Sequence, residues 1–268
     1  MAAVPSAAVI DLHSHVLPGI DDGPADQDGS LALIRAAAAD GTDTLAATPH
    51  LRHDFPSVHL REIASRCVSL NQSLPADLEV TVVPGGEVDL IWAQNASVDE
   101  LRLASYWQRG TDLLIETPYG PLATGFEELL FRISLQGFRI LLAHPERNST
   151  FQGDPARLAA LVERGVLVQV TAASLAASEK HSRSRRLALS LIEEGLAHVI
   201  ASDAHSAGSM RAPLSAGVAA AARVAPARAE WMVSDAPAAV LAGEPLPAPP
   251  QERSAPRRGL LRRLRRAG

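Results

Sequence analysis

Seven short runs rich in Val, Leu, Ile and Thr recur along the chain: Val9–His13, Thr44–Thr48, Glu79–Pro84, Asp112–Glu116, Arg139–Ala143, Val166–Thr171 and His198–Ser202. Segments with helical spacing fill the gaps, and several carry end signals. Ser30–Ala39 stops before Gly41, Ser57–Leu74 stops before Pro75, and Arg183–Glu194 stops before Gly195. A capping box at Thr124–Gly125–Phe126–Glu127 is expected to open a helix to Leu135, and Asp154 with Pro155 is expected to open the next. Strand, helix, strand in repetition predicts parallel strands joined by crossover helices. The pattern alone admits either an open sheet or a closed barrel.

Beyond residue 202 the expectation is alanine-rich helix to about Leu241, followed by a Pro-rich stretch. This divides the chain into a folded domain 1–242, a linker 243–256 and a basic tail 257–268. With 47% hydrophobic and 21% charged residues, composition excludes collagen, coiled coil and whole-chain disorder. One cysteine, Cys67, excludes a disulfide framework and multi-thiolate metal sites. No apolar run approaches the ~18 residues of a membrane span, and no basic segment precedes the apolar start, so neither a spanning helix nor a signal peptide is expected. A cytoplasmic protein is the resulting expectation. The net charge of −5 is unevenly spread, since residues 1–252 carry 18 Lys and Arg against 30 Asp and Glu. So acidic a body argues against a nucleic-acid partner, and only the tail suits an anionic surface.

Polar residues gather at the carboxyl ends of the strand candidates. The ends read Asp11-Leu12-His13-Ser14-His15, Thr48-Pro49-His50, Gly85-Gly86-Glu87, Ile115-Glu116, Ala143-His144-Pro145-Glu146-Arg147 and Ser202-Asp203-Ala204-His205. In parallel α/β folds that rim is where active sites are built. His13 and His15, two apart on a strand end, project to the same side, as a shared metal ion requires. Imidazole and carboxylate without thiolate suit Mn, Fe, Zn or Co, and five His with four carboxylates, Asp22 included, exceed what one ion uses. Each residue alone has an ordinary reading as a hydrogen-bonded strand end; the constellation carries the metal reading. His53, His59, His181 and His198 fall outside it and read as structural or solvent-facing.

These segments, together with Leu17-Pro18-Gly19-Ile20-Asp21-Asp22-Gly23, resemble the polymerase-and-histidinol-phosphatase (PHP) superfamily. Within it they are most similar to the manganese-dependent tyrosine-protein phosphatases of bacterial capsule and exopolysaccharide synthesis. The resemblance implies a distorted (β/α)7 barrel with two or three metal ions at its carboxyl rim, Mn²⁺ foremost, with Fe, Zn, Co or Mg as alternatives. It implies His13, His15, Asp22, His50, Glu87, Glu116, His144, Asp203 and His205 as metal ligands, Asp22 also as general acid, and Arg147 and Arg211 as phosphate-holding cations. The implied substrate is a phosphotyrosine protein, a membrane-associated bacterial tyrosine kinase that governs polysaccharide export. Leu51, where relatives often carry a second His, and Ser206, where they often carry Asn, depart from the pattern without removing a ligand.

The chemistry is coherent. Hydroxide on clustered divalent ions supplies a nucleophile at neutral pH. Arginine pairs phosphate oxygens through a planar fork and stays charged. A phenol leaving group, with a pKa near ~10, needs less protonation than an alkoxide. Cys67 has no arginine six positions on and no glycine-rich loop, which argues against cysteine-phosphatase chemistry. Two alternatives stay open: a small-molecule phosphatase such as a histidinol-phosphate phosphatase, and a non-catalytic metal-binding regulatory protein.

The tail offers two readings. In a helix Leu260, Leu261 and Leu264 share one side flanked by arginines, as in a weak peripheral contact with the inner face of the membrane; the other reading is a solvated, disordered tail. Deleting residues 253–268 should leave hydrolysis of p-nitrophenyl phosphate unchanged and abolish co-sedimentation with anionic vesicles at low salt. A full-length protein that never sediments with them refutes the membrane reading.

Overall fold

The β-branched runs form parallel strands throughout. The computed structural model describes residues 8–178, 182–208 and 213–251. Its strands are β1 (Ile10–Ser14), β2 (Thr44–Ala47), β3 (His50–Leu51), β4 (Thr81–Pro84), β5 (Glu87–Val88), β6 (Asp112–Glu116), β7 (Arg139–Ala143), β8 (Leu167–Thr171) and β9 (Val199–Ala201). The helices are α1 (Gln27–Ala39), α2 (Ile63–Gln72), α3 (Leu90–Asn95), α4 (Val98–Ala104), α5 (Phe126–Leu135), α6 (Ser149–Gly153), α7 (Pro155–Glu163), α8 (Ala172–Ala176), α9 (Arg183–Glu193), α10 (Leu214–Ala221), α11 (Pro226–Trp231) and α12 (Asp235–Ala242).

The strands are ordered β1-β2-β4 in one sheet and β3-β5-β6-β7-β8-β9 in another. β2 and β3 are one strand interrupted at Thr48-Pro49, and β4 and β5 one strand interrupted at Gly85-Gly86. Hydrogen bonds from Gly85 N to Ala47 O (2.9 Å) and from Glu87 N to Pro49 O (3.1 Å) carry the pairing across both interruptions. At Gly86 a Cβ would fall 2.7 Å from Leu51 Cδ1, so a side chain there would have to displace the buried Leu51. The seven expected strands are therefore present, two of them bent.

Closure is completed by a seam between β1 and the end of β9 rather than by a full ladder. Ser14 bridges Ala204, His15 N donates to Ala204 O (2.8 Å), and Asp203 N donates to His13 O (2.8 Å). The buried Asp11 carboxylate spans the same seam, accepting from Ser202 N at 3.0 Å and His13 N at 3.2 Å. These contacts decide between the open sheet and the closed barrel that the strand pattern left undecided, in favour of the distorted seven-stranded α/β barrel that the resemblance implies.

Apolar packing falls into two layers. Inside the barrel Ile10, Leu12, Ala46, Val83, Leu114, Leu141, Leu167 and Val199 form one cluster, which Tyr106, Val240 and Leu241 join near the strand starts. Tyr106 donates its hydroxyl to Leu12 O (2.7 Å), giving a buried phenol the partner it needs. Outside, Leu45, Val82, Leu113, Ile140, Val168 and Ile200 pack against Leu33, Ile34, Leu129, Leu158 and Leu191 of the surrounding helices. Strands covered on both faces explain why the runs read as continuously apolar. Cys67 lies in the outer layer on α2, where burial pushes its thiol up to about 12; it is a packing residue.

Several local expectations are corrected. The capping box at Thr124 does not form: α5 opens at Gly125, in the left-handed region (φ 86°), with no side-chain cap, while Glu127 pairs with Arg157. The helix expected over Ser57–Leu74 is a 3-10 turn at Leu60–Glu62 followed by α2. The stretch after residue 202 is not one helix but α10, α11 and α12, with Pro226 starting the second. Asp154 precedes α7 with Pro155 at its first position, yet its side chain makes no capping bond. His198 is structural as expected, accepting from Val168 N at 3.1 Å, and burial lowers its pKa to about 4.

Where α10 crosses α8, a Cβ on Gly217 would lie 2.6 Å from both Ala172 Cα and Cβ. Gly217→Val should lower the free energy of unfolding by ~2 kcal/mol through overpacking. Denaturant titration checks this, and unchanged stability contradicts the close approach.

Candidate metal centre

All nine residues expected as metal ligands converge at the carboxyl ends of the strands. Glu87, at the start of β5, lies at the centre and is fully buried. Its Oε2 faces His13 Nε2 at 3.3 Å, His15 Nε2 at 3.4 Å and His50 Nδ1 at 3.0 Å, and its Oε1 faces His144 Nε2 at 2.9 Å. Asp203 Oδ1 lies 3.3 Å from His13 Nε2 and 3.5 Å from His15 Nε2. On the outer side, the exposed Asp22 brings Oδ1 to 3.3 Å from His205 Nε2 and 3.6 Å from His50 Nε2. Glu116 Oε2 sits 3.9 Å from His50 Nδ1.

The local backbone is shaped for this convergence. Register slips between Asp11 and Ser14 on β1, so that Leu12 joins the inner core while His13 and His15 reach the rim. His144 and Asp203 both adopt left-handed backbone (φ 37° and 55°), at the turns leaving β7 and β9. Non-glycine residues in that region cost roughly 1–3 kcal/mol each and persist where surrounding structure enforces them, typically at functional sites.

The residues fit divalent cations. His13 Nε2, His15 Nε2, His50 Nδ1, Glu87 Oε2, Glu116 Oε2 and His144 Nδ1 are buried polar atoms without a hydrogen-bond partner. So many orphaned lone-pair donors in one place is what a metal centre needs and a hydrogen-bonded core avoids. Ligand atoms lie within 4.8 Å of one another in four overlapping groups: His15/Asp22/His50/His205, His13/His15/Asp203, His13/Glu87/His144 and His50/Glu87/Glu116. The electrostatics agree. Burial disfavours a charged His13, yet Glu87 and Asp203 overcome it and raise its pKa to about 8. Burial likewise opposes charge on Glu87 and Asp203, but the imidazoles, His13 first, hold both carboxyls below their usual range. For Glu116, burial and then the neighbouring Glu87 raise the pKa, a repulsion that added positive charge relieves.

Arg147 donates through Nη1 to Asp203 Oδ2 at 2.6 Å, so this expected phosphate-holding cation stands beside the centre. Arg211 and the tail lie outside the described residues. Three contributors were not singled out from the sequence. Asp21 Oδ2 holds His15 Nδ1 at 2.8 Å and accepts from His50 N at 3.1 Å, turning the His15 Nε2 edge inward. Gln169 Oε1 faces His13 Nδ1 at 3.1 Å and does the same for His13. Arg52 donates to Glu116 Oε1 at 3.2 Å. Asp21 had a signal in its neighbour Asp22; Gln169 sits on the one strand whose end lacked a His or carboxylate.

A family model described as capsular polysaccharide synthesis, CpsB/CapC, matches residues 9–241. The tyrosine-protein phosphatase YwqE of Bacillus subtilis (strain 168) is 33% identical over 199 residues, 74% of this chain and 78% of the relative. The tyrosine-protein phosphatase CpsB of Streptococcus pneumoniae is 24% identical over 207 residues, 74% of this chain and 83% of the relative. A crystal structure from work on YwqE and CpsB, described as metal-dependent tyrosine phosphatases, superposes with a TM-score of 0.77 at 28% identity, covering 91% of this chain and 100% of that one. An organophosphorus hydrolase from Deinococcus radiodurans shares the fold at 17% identity, with a TM-score of 0.53 over 90% of this chain and 95% of its own.

Residues that orient metal-binding imidazoles typically matter ~10–100-fold to metal affinity. Gln169→Ala and Asp21→Ala should each weaken retention of Mn²⁺ against a competing chelator by about that factor, with the circular dichroism of wild type. Wild-type retention in both variants removes the orienting role.

Proposed function

The chain belongs to the CpsB/CapC family of capsular polysaccharide synthesis, and we propose that its rim cluster hydrolyses phosphotyrosine in a membrane-associated bacterial tyrosine kinase. It is a metal-dependent tyrosine-protein phosphatase. One observation carries the reading of the site: six buried side-chain atoms of His13, His15, His50, Glu87, Glu116 and His144 lack a hydrogen-bond partner among the described residues, within a cluster whose ligand-type atoms lie within 4.8 Å of one another in overlapping groups. Their overlapping groups, completed by Asp22, Asp203 and His205, suit two or three Mn²⁺ ions.

When bound, such ions supply Lewis acidity to the phosphoryl oxygens and a nucleophile from water at neutral pH. The remaining work falls to side chains. Arg147 is anchored to Asp203 through Nη1, and its remaining guanidinium edge serves phosphate oxygens at the rim. The family resemblance assigns Arg211 the same phosphate-holding role. Asp22 is the exposed carboxyl of the cluster, 3.3 Å from His205 Nε2, and is the group suited to deliver a proton to the departing phenol oxygen. Folded domain 1–242, linker and tail then divide the labour, with catalysis confined to the first.

Side-by-side assays of p-nitrophenyl phosphate, a phosphotyrosyl peptide and histidinol phosphate test the proposal. The phosphotyrosyl peptide should be cleaved, EDTA should abolish turnover and Mn²⁺ should restore it. His13→Ala, Glu116→Ala and Asp203→Ala should each cost on the order of 10³-fold or more. Cys67→Ser should stay within a few-fold of wild type. Preference for histidinol phosphate, or activity indifferent to chelator, refutes the reading.

A further inference from the structure

We propose that Phe55 and Tyr119 are specificity-determining residues that form an aromatic wall around the mouth of the site and receive the phenyl ring of the substrate. The inference rests on the tyrosine-phosphatase reading and names what selects an aryl ester. The Phe55 ring stacks on the His50 imidazole, with centroids 5.0 Å apart and planes at 8°. The Tyr119 ring stacks toward His144 at 6.1 Å and 22°. Those two imidazoles grip the two different oxygens of Glu87, at 3.0 and 2.9 Å, so the aromatic rings flank the central carboxylate through its two arms.

An exposed aromatic side chain alone means little. What distinguishes this pair is its placement and its companions. Neither ring belongs to a core cluster, and Tyr119 is 66% exposed although its ring lies next to the candidate ligands. Each ring also has a guanidinium beside it that is tied to a candidate ligand. Arg52 lies 5.7 Å from the Phe55 centroid while holding Glu116, and Arg147 reaches the Tyr119 hydroxyl at 3.5 Å while holding Asp203. Cations next to flat apolar faces suit a ligand that is itself an anion joined to a ring. Arg52 is already held by Asp54 and Glu116, and Arg147 by Asp203, so what the two rings add is apolar surface beside the charged centre: an alkyl phosphate leaves those faces wet, and an aryl phosphate covers them.

The ordinary alternative is that Phe55 and Tyr119 merely shield His50 and His144 from water. Binding of phenylphosphonate and methylphosphonate to the Mn²⁺-loaded enzyme, measured by calorimetry, separates the two roles, because both ligands present the same charged head. The wild type should bind phenylphosphonate about tenfold tighter or more. Phe55→Leu combined with Tyr119→Leu should bring the two affinities within about twofold, with methylphosphonate binding unchanged, while Tyr119→Phe should keep the wild-type preference. The inference is overturned by a wild-type ratio near one, by a preference that survives the double substitution, or by parallel loss of both ligands. Failure of the phosphatase reading has another signature: phenylphosphonate is preferred, yet a phosphotyrosyl peptide is never cleaved.

Discussion

A fully buried carboxylate among imidazoles is the arrangement around which this barrel is organised. Glu87 faces His13, His15, His50 and His144, each from a different strand end or turn except the first two. An ionised carboxylate in the interior is tolerated only when paired or coordinated. The same requirement explains why polar groups crowd a region that would otherwise be core, and why six of their atoms lack a hydrogen-bond partner among the described residues. Stability and chemistry are thus coupled, since cations that complete the site also relieve its internal electrostatic imbalance.

The irregularities of the barrel serve that cluster. The interruption at Gly85-Gly86 delivers Glu87, the one at Thr48-Pro49 delivers His50, and the register slip on β1 delivers His13 and His15 together. Left-handed backbone at His144 and Asp203 turns two further side chains inward. The seam through Asp11 then fixes β1 against the end of β9, bringing His13 and Asp203 within 3.3 Å although they are far apart in the chain. A regular closed ladder has no need of these features; a site fed by residues from so many strands does.

Much of this was legible in sequence because strand ends announce themselves: an apolar run followed by His, Asp or Glu is a local pattern, and eight such residues in order point to one rim, while Asp22, in the loop after β1, was supplied by the resemblance. Roles defined by a partner across the barrel were not legible. Gln169 looks like one polar residue in an apolar strand until His13 is seen against it, and Asp21 was overshadowed by Asp22. Arg52 gains meaning only from Glu116, on a different strand. Local signals also misled where a distant group competed. The Thr124 box had the right spacing, but Arg157 claims Glu127 and a left-handed Gly125 starts the helix instead. Glycine-less segments such as residues 89–108 gave no clear reading, and they hold α3, α4 and the 3-10 turn that carries Tyr106 into the inner core.

Cys67 carries a consequence for how such an enzyme can be controlled. Its thiol is buried in the outer layer and pushed up to about 12, so at neutral pH almost no thiolate exists for peroxide or an alkylating reagent to attack. Oxidants that silence cysteine-based phosphatases by capping their nucleophile have no equivalent target in this side chain. No thiol stands among the residues gathered at the rim, so a cysteine nucleophile has no part in the arrangement that such oxidants would attack.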